Sequence, residues 1–365
     1  MYQKILHLIH TPRFSGAEIL VRDLCLIHQK KGITSAIASF APPEANYLET
    51  IDILENKGIR IYAPAQRLVR FERIRFYRKV LHDFKPEVVY AHSAIPAFYG
   101  RMAIPCRNRP FFFFSVLHAT TDYKDIPSYL CEFLCARCGD GVFSVSPQGA
   151  ENYRRKIPHH RPITVVPNGT NLSTIKHACS NRSALRKTFD LTESQKLIVQ
   201  VGRLCNMKQQ TLSFDATLPL LKKDINIVLW FAGISEDKEY EALLKEKIEG
   251  EGLQGRVKLL GGRKDIPDLL AAADVFLMPS LNESQGIAMI EALASGIAVV
   301  GSDIPAFKFA SSMEGTTLVP AENVETYTQA IKDALEGTQR YRRDMSQYDM
   351  NVTASVYGDY ADLNK

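Results

Sequence analysis

Long apolar runs are absent from this 365-residue sequence. No window reaches about 18 uncharged apolar residues, the minimum for a membrane-crossing helix. The longest candidates are IPAFYGRMAIP, broken by Arg101, and PFFFFSVLH, which stops at a histidine. The opening MYQKILHLIHTPRFSGAE offers about eight mostly apolar residues before His10, Pro12 and Arg13 intervene, too few for a secretory signal. The expected location is the cytoplasm. Cysteine is scarce: the seven residues at 25, 106, 131, 135, 138, 179 and 205 are odd in number and irregularly spaced, which predicts reduced thiols and excludes a disulfide framework. Low-complexity tracts and short internal repeats are missing, and 45% apolar with 23% charged residues excludes collagenous, mucin-like and disordered classes.

A dominant charge sign is missing too, since the net charge is only +5, but the halves differ. Residues 1–175 carry 23 basic against 14 acidic side chains, and residues 176–365 carry 22 against 26. Much of the excess is the run Arg60, Arg67, Arg70, Arg73, Arg75, Arg78 and Lys79, opposed only by Glu72. In RLVRFERIRFYRKVLHDF a helical stripe of Ile74, Tyr77, Val80, Leu81 and Phe84 points inward and leaves the bases outward. With Leu68, Val69 and Phe71 among them, they suit an anionic bilayer surface as well as plain solvent. Nucleic acid is not expected, because no recognised binding module accompanies the charge.

What is present is an alternation. KILHLIH, ITSAIASF, IRIYAP, EVVYAHS, FFFFSVLH, GVFSVS and ITVVP read as buried strands separated by amphipathic helices. KLIVQVGR, INIVLWFAG, VKLLGG, VFLMPS, IAVVGS and TTLVP repeat the pattern. Continuous apolar strands alternating with helices predict parallel sheets covered on both faces, and the length suits two such α/β domains. VVPNGTNLSTIKHACSNRSALR breaks the pattern and divides the chain into 1–175, 176–345 and a terminal helix at 346–365. A stripe of Tyr348, Val352, Val356 and Tyr360 on that helix is expected to dock on the first domain.

The segment MPSLNESQGIAMIEALASGIAVVGS, residues 278–302, reads as strand, loop, helix, glycine stop and strand, with the helix from about Gln285. Its N-terminus, with Gly286 allowing close approach and Ile287 and Ala288 offering N–H groups, suits a phosphate. Glu283 and Glu291 cannot form a glycosidase dyad, which needs carboxyls about 5–9.5 Å apart, because eight helical residues rise about 12 Å. They read as two anchors along an elongated ligand. CEFLCARC places Cys131, Cys135 and Cys138 at i, i+4 and i+7 of a helix, where they read as small buried hydrophobes and not as cluster ligands.

ESQGIAMIEALASG resembles the signature of the family 4 retaining nucleotide-sugar glycosyltransferases, E-G-F-G-x-x-x-x-E-A, with Ser284 and Gln285 replacing the common Gly and Phe. VGRLCNMKQQTLSFDA, TPRFSGAEILVRDL, SVLHATTDY and VVPNGTN are similar to further family segments in the family's order. The resemblance implies a GT-B fold, two Rossmann-like doubly wound parallel-sheet domains with an interdomain cleft. It implies that Glu291 binds ribose hydroxyls, Glu283 meets the donor sugar, and amides at Gly286, Ile287 and Ala288 approach the phosphates. Arg203 and Lys208 would then stabilise the diphosphate leaving group, and His118 would touch the transferred sugar. Gly16, with Ser15 in place of the family's first glycine, would pass close to the donor. Arg263 would border the base. His92 in YAHS follows another strand and points toward the same edge as His118.

The activity so implied is a retaining transfer from a nucleotide-sugar, taken as a UDP-sugar, to a polysaccharide or lipid-linked oligosaccharide acceptor. No metal or other cofactor is expected, in keeping with the lack of any D-x-D in the sequence. The alternatives are a nucleotide-sugar epimerase on the same fold and a catalytically silent nucleotide-sugar binder. A peripheral position on the inner face of the cytoplasmic membrane follows from the basic run and the acceptor class.

Overall fold

Strands of β-branched and aromatic residues leave this chain little choice but a doubly covered sheet, since their side chains are apolar on both faces. The computed structural model describes residues 1–105, 108–119, 126–337 and 339–359. Its first thirteen elements are β1 (Lys4–Ile9), α1 (Gly16–Lys30), β2 (Thr34–Ser39), α2 (Leu48–Asn56), β3 (Arg60–Tyr62), α3 (Arg70–Phe84), β4 (Val88–His92), α4 (Ala94–Ala103), β5 (Phe112–Leu117), α5 (Ile126–Cys135), β6 (Gly141–Ser144), α6 (Pro147–Lys156) and β7 (Ile163–Val165). There follow α7 (Leu172–Ser180), α8 (Arg182–Thr188), β8 (Lys196–Val201), α9 (Gln210–Lys223), β9 (Ile227–Ala232), α10 (Lys238–Gly250), β10 (Val257–Leu259), α11 (Ile266–Ala272), β11 (Val275–Met278), α12 (Ile287–Ala294), β12 (Ala298–Ser302), β13 (Thr316–Val319), α13 (Val324–Glu336) and α14 (Met350–Gly358).

Two compact units result, one of Met1–Gly169 with the segment from Met350, the other Thr170–Asp349. The first holds a sheet ordered β3-β2-β1-β4-β5-β6-β7 and the second a sheet ordered β10-β9-β8-β11-β12-β13. Every strand pairing is parallel. In each sheet the strand order reverses once, between β1 and β4 and between β8 and β11. At such a switch point the loops beyond the carboxyl ends of the strands diverge and leave a crevice where α/β sheets bind ligands.

The terminal helix differs from its expected stripe. In the first unit α14 buries Met350, Thr353, Ala354 and Tyr357, while Val352 is 48% exposed. Tyr348 precedes the helix and is buried in the core of the second unit, and Tyr360 lies outside the described residues. The inward face is therefore read at i, i+3, i+4 and i+7 from Met350. On α3 the buried stripe is Tyr77, Val80 and Phe84, with Ile74 and Leu81 packed beside it.

Arg73 corrects the outward reading of that helix. Its guanidinium lies 5.0 Å from the Phe40 ring centroid and 4.8 Å from that of Tyr99, and its Nε donates to the Leu68 carbonyl at 2.8 Å. Cys25, Cys131, Cys135, Cys179 and Cys205 are free thiols, but Cys138 is disulfide-bonded, against the expectation of reduced thiols throughout. Cys106 lies outside the described residues. Because α5 ends at Cys135, Cys138 does not share its helical face, and Cys131 and Cys135 are only partly buried. No described helix is long and apolar enough to cross a membrane.

Candidate active site

In the second unit the strand order carries the candidate residues to one edge. The loop after β10 bears Arg263, the loop after β9 bears Glu236, the turn after β8 bears Arg203 and Lys208, and the loop after β11 bears Glu283. Arg203 and Lys208 thus stand on one side of the switch point, and Glu283 and Gly286 on the other.

Two loop contacts close the gap. Leu281 donates its N–H to the Met207 carbonyl at 3.0 Å, and Lys208 Nζ pairs with Glu283 Oε1. Both side chains are shielded, 15% and 12% exposed. Gln200, buried in β8, donates from Nε2 to the Lys208 carbonyl at 2.6 Å and anchors the short turn, while Ser280 Oγ donates to Glu283 at 3.0 Å.

Gly286 precedes α12 with φ of 76°, so the first helical residue is Ile287 and not Gln285. A Cβ here would sit 2.5 Å from Phe307 Cε1, so both the left-handed backbone and the packing require glycine. The first N–H groups of the helix have no intrahelical acceptor and carry the positive end of its dipole. Three residues upstream stands Glu283, held by Lys208. Glu291, further along α12, accepts from Thr170 Oγ1 at 3.0 Å.

Arg203 reaches the other way. Its guanidinium pairs with Glu236, and both side chains are about half exposed. Arg263 donates from Nε to Asp265 at 2.7 Å and lies 5.5 Å from the Phe189 ring centroid, so its described contacts do not join it to Lys208 or Glu283.

In the first unit Ser15 is the N-cap of α1, and its hydroxyl donates to Glu18, a carboxylate buried to 6% exposure whose pKa burial pushes up. Gly16 opens the helix beside it and is exposed. His92 ends β4 and His118 follows β5, with His92 Nδ1 and His118 Nε2 2.8 Å apart. Burial lowers the pKa of His118 to about 4 and that of His92 well below its ordinary value. Ser15, Gly16 and His92 therefore flank the reversal between β1 and β4.

A family model described as Glycosyltransferase Family 4 matches residues 14–174, and one described as Glycosyl transferases group 1 matches residues 181–351. Between them the two models take in most of the chain. The protein belongs to the family 4 glycosyltransferases. The transferase is 25% identical over 310 residues to the UDP-Gal:alpha-D-GlcNAc-diphosphoundecaprenol alpha-1,3-galactosyltransferase of Escherichia coli, covering 82% of this chain and 79% of that protein. It is 29% identical to the lipopolysaccharide glucosyltransferase WaaG of Escherichia coli strain K12 over 43% of this chain and 41% of that one. The crystal structure of Anabaena HepE in complex with UDP and glucose superposes with a TM-score of 0.81 at 19% identity, over 99% of this chain and 100% of that one. The fold of the transferase is thus GT-B, with two Rossmann-like units.

Several of the transferase's polar groups at these edges escape a reading of the sequence. Glu236, Gln200, Thr170 and Glu18 act as partners of the named residues, and His7 lies behind His92 in β1. For Gln200 and His7 a signal exists, a polar residue inside an otherwise apolar strand. For Glu236 and Thr170 none does, because only the fold brings them to Arg203 and Glu291.

Proposed function

We propose that this glycosyltransferase moves a hexosyl group from a UDP-sugar to a polysaccharide or lipid-linked oligosaccharide acceptor, with retention of configuration and without a metal. The observation that carries the reading is the meeting of Lys208 with the loop that opens α12. There a fixed ammonium and a set of free backbone amides stand together across a switch point. The C1–O bond to the diphosphate breaks, and UDP leaves with its added negative charge on the leaving oxygen. Lys208 and the amides of Gly286, Ile287 and Ala288 receive that charge, and Arg203 joins them by exchanging Glu236 for phosphate.

The acceptor oxygen forms the new bond to C1 on the face the diphosphate leaves, and its proton passes to the departing phosphate oxygen. Glu291 holds the ribose, Glu283 the sugar, and Arg263 lies toward the base. In the first unit His118, Ser15 and Gly16 stand beyond the carboxyl ends of their strands, where a ligand of that unit would lie. The donor and acceptor classes are supported by the Escherichia coli relative, named for UDP-Gal and a diphosphoundecaprenol acceptor, and by the UDP bound to HepE.

The basic surface of α3 serves the same acceptor. Arg67, Arg70, Arg75, Arg78 and Lys79 are exposed, and Val69 and Phe71 among them are 60% and 82% exposed. A base-rich face with protruding apolar side chains suits anionic lipid and supports a peripheral position on the inner face of the cytoplasmic membrane.

Incubation with UDP-, GDP- and ADP-sugars and a bacterial membrane extract tests the reading. Sugar transfer to extracted lipid from one UDP-sugar, undiminished in EDTA, is expected. An isomerised donor, or binding with no turnover on any donor, contradicts it.

A further inference from the structure

Three arginines of the first unit gather at the carboxyl edge of its sheet. His10 follows β1, Phe40 follows β2 and Arg67 lies in the loop after β3, while Arg73 belongs to the first turn of α3. Backbone bonds draw these loops together: Phe40 N–H donates to the His10 carbonyl at 3.3 Å, and Leu68 N–H donates to the Phe40 carbonyl at 2.8 Å. The His10 ring meets Phe40 edge-on with centroids 5.9 Å apart, and the same Phe40 ring carries the Arg73 guanidinium at 5.0 Å. Arg67 Nη2 lies 3.4 Å from His10 Nε2. Arg13, on the loop that His10 begins, completes the group. Burial, and then the charges of Arg67, Arg73 and Arg13, lower the pKa of His10.

These arginines have donors to spare. A guanidinium has no acceptor, so His10 Nε2 accepts from Arg67, and His10 Nδ1–H donates to Thr11 Oγ1, 2.8 Å away. That neutral lone pair, at a long 3.4 Å, is the sole side-chain partner of Arg67 among the described residues. Arg73 commits only Nε, to the Leu68 carbonyl, and the Arg13 side chain makes no hydrogen bond among the described residues. Elsewhere in the unit shielded arginines are paired, Arg22 with Asp23, Arg101 with Glu132 and Arg109 with Asp140. Of the acids beside the group, Glu72 accepts from Val69 N–H at 3.0 Å, Glu18, which feels the charge of Arg13, is buried and takes the Ser15 hydroxyl, and Glu44 is exposed. Among the described residues none of them pairs with Arg13, Arg67 or Arg73.

Lone arginines on loops are ordinary solvated charges. Three grouped about one half-buried imidazole repel one another until an anion neutralises them. Their planar forks meet phosphoryl oxygens two at a time, and they stand at the edge where α/β sheets take their ligands. The surroundings narrow the ligand further. Leu68, Val69 and Phe71 lie between Arg67 and Arg73 in the chain, and Val69 and Phe71 are exposed. An anion and an apolar chain are therefore accommodated side by side, which suits a prenyl diphosphate better than free phosphate or a nucleotide.

We infer that Arg13, Arg67 and Arg73, grouped about His10, bind the diphosphate head of a prenyl-linked acceptor, with Val69 and Phe71 beside its chain. The site anchors the acceptor and makes or breaks no bond. The anion site stands on the geometry of the first unit; only the naming of its ligand as an acceptor rests on the proposed function.

Calorimetry on the full chain with geranyl diphosphate, a soluble prenyl diphosphate, tests this. The unaltered protein should bind it at least about tenfold more tightly than geraniol, which lacks the anion, or inorganic diphosphate, which lacks the chain. The Arg13→Gln, Arg67→Gln double variant changes two exposed side chains and should weaken geranyl diphosphate by about tenfold or more. The Arg75→Gln, Lys79→Gln double variant removes the same charge from the outward face of α3 and should weaken it by less than about twofold. UDP affinity should stay unchanged in both, and binding to phosphatidylglycerol vesicles should fall equally in both. No preference for geranyl diphosphate over geraniol in the unaltered protein overturns the inference whether or not the variants fold. Equal losses of geranyl diphosphate in the two double variants overturn it as well. So does a loss confined to Arg13→Gln, Arg67→Gln on vesicles, which assigns the arginines to bulk headgroups, or on UDP, which assigns them to the donor. Arginine-dependent binding in a protein that transfers sugar from no donor contradicts the proposed function instead.

Discussion

Lys208 and Glu283 neutralise each other in the ligand-free protein, and both are largely shielded. Under the proposed function an incoming diphosphate would compete with Glu283 for the ammonium and free the carboxylate for a sugar hydroxyl, so one exchange would prepare two contacts. Lys208→Ala leaves a partly buried carboxylate facing the phosphates, and kcat should drop by about 100-fold or more, read from UDP release under saturating donor. Arg203→Ala should also slow release, but its half-exposed pair with Glu236 contributes at most about 1 kcal/mol to stability, so its urea midpoint should match that of the unaltered protein. Gly286→Ala strains a left-handed position and meets Phe307, and urea unfolding should show a loss of about 1–3 kcal/mol. The positions of these residues were legible because apolar runs mark the strand ends and a glycine marks the start of α12. Their partners were not: Glu236 is an ordinary surface acid until the parallel order of β8 and β9 sets its loop beside Arg203.

Elements were legible as far as their periodicity served one purpose. The strands and most helices follow from apolar runs and stripes, but around Tyr348 one apolar pattern serves two cores. Tyr348 fills the second unit, and two residues later α14 begins in the first. Periodicity alone cannot show that break. Polar burial is equally hidden. Glu132 on α5, 1% exposed, binds Arg101 of α4 and Tyr153 of α6, while Arg101 also donates to Ser115 of β5 at 2.6 Å. This network ties three helices to the sheet through buried charge and hydrogen bonds. Glu132→Ala leaves a buried guanidinium without its carboxylate, and should cost about 3–5 kcal/mol in equilibrium unfolding. A loss below 1 kcal/mol would mean that water replaces the carboxylate.

Across the whole molecule the histidines are unevenly placed. The first unit buries His7, His28 and His92 and half-buries His118, all with lowered pKa values, about 4 for His28 and His118, whereas the second unit has only the exposed His177. Unfolding frees each buried ring to its ordinary value near 6.5. Below that pH the unfolded state binds more protons, so the stability these rings support is complete above about pH 6.5 and is lost as pH falls toward their folded values, by about 1.4 kcal/mol per unit for each ring. The first unit should therefore fail first in acid. The single tryptophan, Trp230 in β9, reports the second unit. Melting curves from Trp230 fluorescence and from circular dichroism should separate as pH is lowered from 7.5 to 5, with part of the dichroism lost at lower temperature. Coincident curves at pH 5 would contradict this assignment.

The central claim is that the diphosphate of the donor is received where Lys208 and the start of α12 meet, with Arg203 exchanging Glu236 for phosphate. Calorimetric binding of UDP and of uridine tests it most directly, because the two ligands differ only in the phosphates. The unaltered protein should bind UDP at least about 100-fold more tightly than uridine, and the Arg203→Ala, Lys208→Ala double variant should reduce that ratio to less than about tenfold while leaving uridine affinity as it was. A ratio unchanged in the double variant would place the phosphates elsewhere and contradict the account.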